Sequence, residues 1–179
     1  MDTIKLLKEI EKKIKTAESY MPRLLEIFEQ QGIKPTYRIK DKNRILEKVM
    51  WVSNNPNFQD MDEIEILNKV NDIIGLTVVT NKLEDAFTIS DKIVNQLLGQ
   101  SIKFKRCIDH ISDNGGITDY KALLLLFGSE EGIPFEVQVT DNENLAIREA
   151  THKEFEKIKY GKVRASQGYK QRDIGDMSK

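Results

Sequence analysis

Apolar residues recur every three or four positions from Ile4 to Phe28. This spacing predicts one long amphipathic helix over about residues 3–31, or two helices that meet in a kink at Pro22. Gly32 is expected to end the segment, as glycine often does just beyond a helix. The chain therefore opens with a helical segment.

Strand-like and helix-like patterns alternate in the chain beyond this segment. Short runs rich in apolar and β-branched residues predict five strands, at 35–40, 73–80, 102–111, 120–127 and 133–139. Helical spacing predicts helices between and after them, at 43–53, 61–70, 82–98 and 142–160. Together these elements predict an α/β fold with a mixed five-stranded sheet flanked by helices, in which the last two strands form an antiparallel pair.

Three regions are expected along the 179 residues, a length natural for one compact domain. Residues 1–33 form the N-terminal helical segment, which is expected to pack as a small separate layer. Residues 34–160 form the sheet domain. Residues 161–179 are polar and lack an apolar stripe, so they are expected to be flexible or to depend on a partner.

Composition narrows the class of protein. Charged residues make up 32% of the chain and the net charge is −1, so no strong overall field draws it to nucleic acid or a membrane surface. The single cysteine, Cys107, excludes an internal disulfide and favours a reducing, cytoplasmic location. No apolar run approaches the roughly 18 residues of a membrane span, and the charged amphipathic start does not resemble a secretion signal.

Two carboxylates lie on apolar, strand-like runs. Asp72 precedes the run that contains Gly75, and Glu136 lies within another. An acid in such a place is costly to bury unless something pairs with it, and two of them on neighbouring strands suit a divalent cation. Asp72 is otherwise explained as a turn residue. Glu136 is otherwise explained by a structural partner or by an edge strand with a wet outer face.

Four basic residues are expected to converge near these acids. Arg38 and Lys40 share one face of the first strand, whereas Arg44 and Lys48 share one face of the following helix. Such a set could bind a polyphosphate, although a solvated surface is the alternative. Tyr120 is either a core residue or a ring that stacks on a base, with Lys121 beside it.

The order of these motifs resembles the synthetase domain of the RelA/SpoT family, which makes the alarmones ppGpp and pppGpp. Residues 38–40 resemble the family's Arg-x-Lys motif, and residues 72–75 resemble its Asp-x-x-Gly segment. Residues 119–124 resemble the Gly-Tyr-Arg-Ser-x-His motif. Residues 136–139 are similar to Glu-Ile-Gln-Ile, and the sixteen-residue step from there to His152 also matches.

This resemblance implies a nucleotidyltransferase-like synthetase fold and a pyrophosphokinase that moves the β,γ-pyrophosphate of ATP to the 3′-hydroxyl of GDP or GTP. Asp72 and Glu136 would hold Mg²⁺, and Glu136 would also assist deprotonation of the hydroxyl. The implied ATP-binding residues are Arg38, Lys40, Arg44 and Lys48. The implied acceptor-binding residues are Tyr120, Lys121 and His152.

Several positions depart from the family pattern, and all of them change charge or hydrogen bonding. The family's two arginines, glycine, serine and histidine are replaced here by Thr77, Thr140, Asp119, Ala122 and Leu124. Asp119 beside the acceptor would repel its phosphates. The chain therefore resembles a divergent, stand-alone small alarmone synthetase.

Three functional alternatives remain from the sequence. The first is synthesis of ppGpp or pppGpp. The second is a toxin-like relative that modifies tRNA or adenosine nucleotides, with an antitoxin protein as partner. The third is a catalytically weak domain that binds nucleotide or protein and self-associates, since family members often form homo-oligomers.

Overall fold

The computed structural model describes residues 3–112 and 120–166. Its first element is a single helix, α1 (Thr3–Glu29), which contains Pro22. Of the two arrangements that the sequence allowed, one continuous helix is therefore observed. Gly32 follows with a φ of 67°, a left-handed conformation that glycine adopts without strain.

The remaining elements alternate largely as predicted. In chain order they are β1 (Thr36–Ile39), α2 (Lys42–Ser53), a 3₁₀ turn (Pro56–Phe58), α3 (Glu63–Lys69), β2 (Ile74–Thr80), α4 (Asp85–Leu98), β3 (Lys103–Asp109), β4 (Leu123–Gly128), β5 (Pro134–Asp141) and α5 (Asn142–Ser166). Aspartates begin two of the helices: Asp41 accepts a hydrogen bond from a backbone N–H of α2, and Asp62 forms a capping box with Glu65 in α3, as short polar side chains do at helix starts.

Helix α5 extends six residues beyond its predicted end at 160. The polar tail predicted from residue 161 is therefore helical as far as Ser166. The rest of that tail and residues 113–119, which include Asp119, lie outside the described residues.

The five strands form one mixed sheet in the order β1-β2-β5-β4-β3. Strands β2 and β5 are parallel, and the other neighbours are antiparallel. The mixed five-stranded sheet and the antiparallel β4–β5 pair are thus confirmed. The register aligns one row across all five strands, namely Arg38, Gly75, Glu136, Leu126 and Arg106.

The hydrophobic core covers the opposite face of the sheet. Ile74, Leu76 and Val78 alternate on β2 and pair with three buried apolar residues of β5. Side chains of α1, among them Leu24, belong to the same core. The N-terminal helix, which was expected to pack as a small separate layer, thus buries its long apolar stripe in the same core as the sheet.

Within the described chain, no helix combines the length and the apolar character needed to cross a membrane.

Candidate functional site

A cleft of about 260 Å³ opens beside the row that contains Glu136. It lies between β1, the start of α2, the residues before β2 and the middle of α5. The charged and titratable side chains that line it are Arg38, Lys40, Asp41, Arg44, Asp72, His152, Glu156 and Tyr160. The sequence-predicted donor residues and Asp72 are therefore brought together from three separate segments.

Asp72 lies at the centre of this charge cluster. One of its oxygens accepts a hydrogen bond from Lys40 Nζ and the other from Lys48 Nζ, each at 2.6 Å. Burial would raise the pKa of Asp72, but the two ammonium groups outweigh it and hold that pKa well below its ordinary value. Asp72 is thus an ionised carboxylate shared by two lysines.

The two lysines reach Asp72 because β1 and β2 pair antiparallel. The backbone N–H of Lys40 donates to the carbonyl of Ile73 at 2.8 Å, which places the end of β1 beside the segment before β2. Lys48 comes from the second turn of α2. Burial lowers the pKa of Lys40, and the charge of Asp72 only partly opposes this effect.

Arg44 is held by acids rather than left free in the cleft. Its guanidinium lies 2.7 Å from Glu156 of α5 and 3.2 Å from Glu47 of its own helix. Both contacts are within ion-pair distance, so Arg44 ties α2 to α5 and helps to define the wall of the cleft.

Glu136 faces the cleft side of β5, on the same side as the Asp72 cluster. Its carboxylate has no hydrogen-bond or ion-pair partner among the residues that the structure describes. Burial raises the pKa of Glu136, and the negative charge of Asp72 raises that pKa further, against the weaker effect of Lys48, Lys40 and Arg38. The site therefore contains one firmly ionised acid and one that is unusually basic.

Gly75 lies between Arg38 and Glu136 in the strand register. A Cβ placed on Gly75 would lie 3.4 Å from Arg38 Nε. The missing side chain therefore lets the guanidinium of Arg38 lie over the sheet, close to Glu136. This is the close approach that a glycine inside a strand often permits.

These acids suit Mg²⁺ held jointly with a phosphate-bearing substrate. Mg²⁺ binds through one or two carboxylates plus substrate oxygens rather than in a cage made by protein alone. In the described ranges no group of three or more His, Cys, Asp or Glu side chains is placed to hold a metal ion. Asp72 and Glu136 can provide that smaller ligand set. Lys40 and Lys48 already bind the oxygens of Asp72 and would compete there with the metal ion.

The predicted acceptor residues lie along the edge between β4, β5 and α5. The hydroxyl of Thr140 donates to the carbonyl of Lys121 at 2.7 Å, and the Lys121 backbone N–H donates to the Asn144 side chain at 3.0 Å. Asn144 is in turn bonded to Asp141. This network fixes the segment that carries Tyr120 beside the first turn of α5.

Tyr120 is only partly exposed, and its hydroxyl is buried with no hydrogen-bond partner in the described part of the chain. Burial raises the pKa of Tyr120, while the positive charge of Arg148 opposes this rise. Lys121 is exposed. The stacking role assigned to Tyr120 and the acceptor role of Lys121 remain predictions.

His152 lines the cleft from α5. Its Nε2 lies 3.8 Å from a carboxylate oxygen of Glu156. Burial lowers the pKa of His152 despite this neighbour, so the imidazole is largely neutral near pH 7. A neutral histidine can donate or accept a hydrogen bond but adds no charge to the site.

Among the described residues, the positions that depart from the family motifs bring no charge to this face. Thr77 and Leu124 flank Gln138 in one row of the sheet. Thr140 is fully buried, and its hydroxyl orders Lys121 as described above. Ala122 is also buried.

Helix α5 contributes Glu156 and Tyr160 to the cleft, which the sequence did not indicate, beside His152, which the family resemblance implied. Arg148 precedes these three at the same spacing, so the four residues recur every fourth position along one stripe of the helix. We call these four residues the α5 ridge. Burial, followed by the charge of Asp72, raises the pKa of Tyr160 to about 12. The regular spacing of polar and aromatic residues was a signal for this face.

The family model described as the region found in RelA/SpoT proteins matches residues 37–170. The chain belongs to the RelA/SpoT family. No curated protein sequence matches it significantly.

Solved structures share the RelA/SpoT fold at low identity. The small alarmone synthetase 1 of Bacillus subtilis, bound to its product pppGpp, is 18% identical with a TM-score of 0.55, and the match covers 92% of this chain and 89% of that one. A GTP pyrophosphokinase family protein of Streptococcus pneumoniae is 17% identical with a TM-score of 0.54, over 97% and 82% of the two chains.

A third similar structure comes from a different biological setting. It is the Type VI effector Tas1 in complex with its immunity protein, which is 19% identical with a TM-score of 0.52. The match covers 79% of this chain and 64% of the effector chain, so this RelA/SpoT chain spans less than two thirds of that relative.

Proposed function

We propose that the protein is a magnesium-dependent pyrophosphokinase that transfers the β,γ-pyrophosphate of ATP to the 3′-hydroxyl of GDP or GTP. The observation that carries the proposal is the convergence of Arg38, Lys40, Lys48 and Asp72 on one site beside Glu136, which has no partner within the described ranges. Phosphoryl transfer needs positioning and charge neutralisation rather than covalent help, and this cluster offers both.

The cations of β1 and α2 form the donor side of the site. Arg38 and the two lysines would contact the phosphates of ATP, and Arg44 would keep α2 and α5 in place through Glu156. Mg²⁺, held by Asp72 and Glu136 together with substrate oxygens, would neutralise charge on the transferred group.

Glu136 would accept the proton of the attacking hydroxyl. The acceptor 3′-oxygen forms a bond to the β-phosphorus of ATP, the bond from that phosphorus to the α,β-bridging oxygen breaks, and AMP leaves. The raised pKa of Glu136 makes it a better base than an ordinary carboxylate, and no group in the part of the chain that the structure describes occupies its oxygens.

A different acceptor is the second candidate function. Thr77, Leu124 and buried Thr140 supply no positive charge where the family pattern has two arginines and a histidine. This favours an acceptor other than a guanine nucleotide, such as ADP or the 3′ end of tRNA, with the same donor and the same base.

The test is a thin-layer assay with γ-labelled ATP, Mg²⁺ and, in separate reactions, GDP, GTP, ADP and tRNA. We expect label on GDP or GTP and loss of at least about 100-fold in rate with Glu136→Gln, since a general base contributes that much. The matched control is Glu143→Gln, which makes the same change at an exposed position of α5 and should keep full activity.

The other outcomes separate the candidates. Transfer of label to ADP or tRNA would show that the acceptor is not a guanine nucleotide and would support the second function. No label on any acceptor, in folded protein with ATP bound, would contradict both reactions and leave a nucleotide-binding domain without the chemistry.

A further inference from the structure

Arg148 is an arginine that the donor cluster does not use. It lies in the second turn of α5 and is partly buried. Among the described residues no carboxylate lies within ion-pair distance of its guanidinium. Arg44, which lines the cleft, is by contrast held by two acids. A partly buried cation without a partner is costly, so Arg148 is suited to an anion from outside the chain.

The surroundings of Arg148 differ from those of the donor cations. Its charge acts on the hydroxyl of Tyr120 and on the imidazole of His152. Glu136 acts on the same tyrosine hydroxyl, which is buried without a partner in the described ranges. The guanidinium therefore lies near a tyrosine hydroxyl that has no partner among the described residues and near His152, on the side of the proposed base.

The spacing along α5 separates Arg148 from the donor side. Arg44 binds Glu156, which is eight residues further along the helix. At 1.5 Å per residue this corresponds to about 12 Å along the axis. His152 lies midway on the α5 ridge. The two ends of the ridge are thus far enough apart to contact two different nucleotides.

We propose that Arg148 binds the 5′-phosphate of the acceptor nucleotide and so selects a nucleotide over a nucleoside. Its planar guanidinium can form two parallel hydrogen bonds to a phosphate. The Thr140–Lys121–Asn144 network holds the segment of Tyr120 beside the same part of α5. The junction of β5 and α5 would therefore position both Tyr120 against the nucleobase of the acceptor and Arg148 against its phosphate. The identification of this ligand as the acceptor nucleotide rests on the proposed function.

The test measures binding without ATP, so that no transfer occurs. Guanosine, GMP and GDP are titrated by calorimetry into wild type, Arg148→Ala and Arg148→Lys. We expect Arg148→Ala to weaken GDP about 10- to 100-fold, the cost of a lost charge-assisted hydrogen bond, and to leave guanosine unchanged. Arg148→Lys should bind GDP more tightly than Arg148→Ala but less tightly than wild type, since lysine keeps the charge but cannot form the two parallel hydrogen bonds.

Lys153→Ala is the matched control. It removes a positive charge from an exposed position five residues further along α5, which lies about 140° around the helix from Arg148. GDP binding should stay at the wild-type level. Circular dichroism checks the fold of each variant, and alanine is favourable within a helix.

Equal losses for guanosine and GDP in Arg148→Ala, or no loss for either, would overturn the proposal. If wild type transfers no pyrophosphate but its GDP affinity still depends on Arg148, the reaction fails and the phosphate site stands. If guanine compounds do not bind, the series is repeated with adenosine, AMP and ADP. A phosphate preference lost in Arg148→Ala supports the site, and absence of any preference overturns it.

Discussion

At the scale of a single residue, Asp72 combines a structural role with a proposed role in metal binding. It balances Lys40 and Lys48 within the fold and, in the proposed reaction, it binds Mg²⁺ with the substrate. Both lysines and Asp72 are largely buried, with side-chain exposures of 13%, 19% and 20%. Binding of metal and nucleotide would replace the attraction between Asp72 and the lysines by attraction to phosphate, so the net charge of the cluster stays small.

Asp72→Asn should lower the free energy of unfolding by about 2–3 kcal/mol at pH 7 in metal-free buffer, because it leaves two mostly buried ammonium groups without their anion. Folding lowers the pKa of Asp72, so its contribution is present above the unfolded-state pKa of about 4 and is lost as the pH falls towards the folded value.

Chemical denaturation of both proteins at pH 7 and at successively lower pH checks this prediction. The difference should shrink below about pH 4. Lys42→Ala is the control, since Lys42 forms an exposed pair with Glu11 and exposed pairs contribute at most about 1 kcal/mol. A pH-independent difference for Asp72→Asn would contradict the assigned charge state.

The shared faces of the proposed donor residues could be predicted from the sequence, because local spacing decides which side chains lie together on a strand or a helix. Arg38 and Lys40 share a strand face by period two, and Arg44 and Lys48 share a helix face at four residues. The ion-pair partner of Arg44 could not be predicted, since Glu156 is distant in the chain. The pairing of one aspartate with two lysines likewise depends on tertiary packing.

At the scale of elements, the junction of β5 and α5 organises the side of the site where we propose that the acceptor binds. Strand β5 ends at Asp141 and α5 begins at Asn142. Thr140 and Asn144, one on each side of this boundary, hold the backbone of Lys121. The sequence showed Thr140 only as the loss of a family arginine, because a hydrogen bond to a distant carbonyl leaves no local pattern.

Thr140→Val should remove the bond to Lys121 and destabilise the fold by about 1 kcal/mol, the usual net value of a buried hydrogen bond. Because the freed segment carries Tyr120, we also expect the KM for the acceptor to rise several-fold while the KM for ATP stays constant. Steady-state kinetics with each substrate varied in turn checks the split. Equal changes in both KM values would contradict the local role of Thr140.

Thr151→Val is the control for this substitution. Thr151 is a partly buried threonine whose hydroxyl bonds only within α5, so both KM values should remain near those of wild type.

At the scale of the whole molecule, α1 belongs to the core that supports the sheet. The periodicity predicted the helix, but it could not show whether the apolar stripe meets the sheet domain or another protein. The structure places Leu24 and Phe28 among the most buried side chains of the described chain. The site is therefore built on a core to which the N-terminal segment contributes.

Leu24→Ala should destabilise the whole domain by about 2–4 kcal/mol, the cost of a cavity at a fully buried leucine. The loss should appear in one cooperative transition, with the signals of sheet and helix melting together. Leu98→Ala is the control, because Leu98 is 50% exposed and should change stability by less than about 0.5 kcal/mol. Separate melting of a helical phase would contradict the single core.

The direct passage from β5 into α5 makes strand and helix a single mechanical unit. The proposed base on the strand and the α5 ridge are directly coupled, since no linker residue separates strand and helix. One residue inserted at the boundary would rotate the helix by about 100° and carry His152, Glu156 and Tyr160 away from the cleft together. Substitutions along the ridge could therefore change the substrate while the fold is kept. An insertion or deletion at the boundary of β5 and α5 would instead displace the whole side of the cleft that α5 forms.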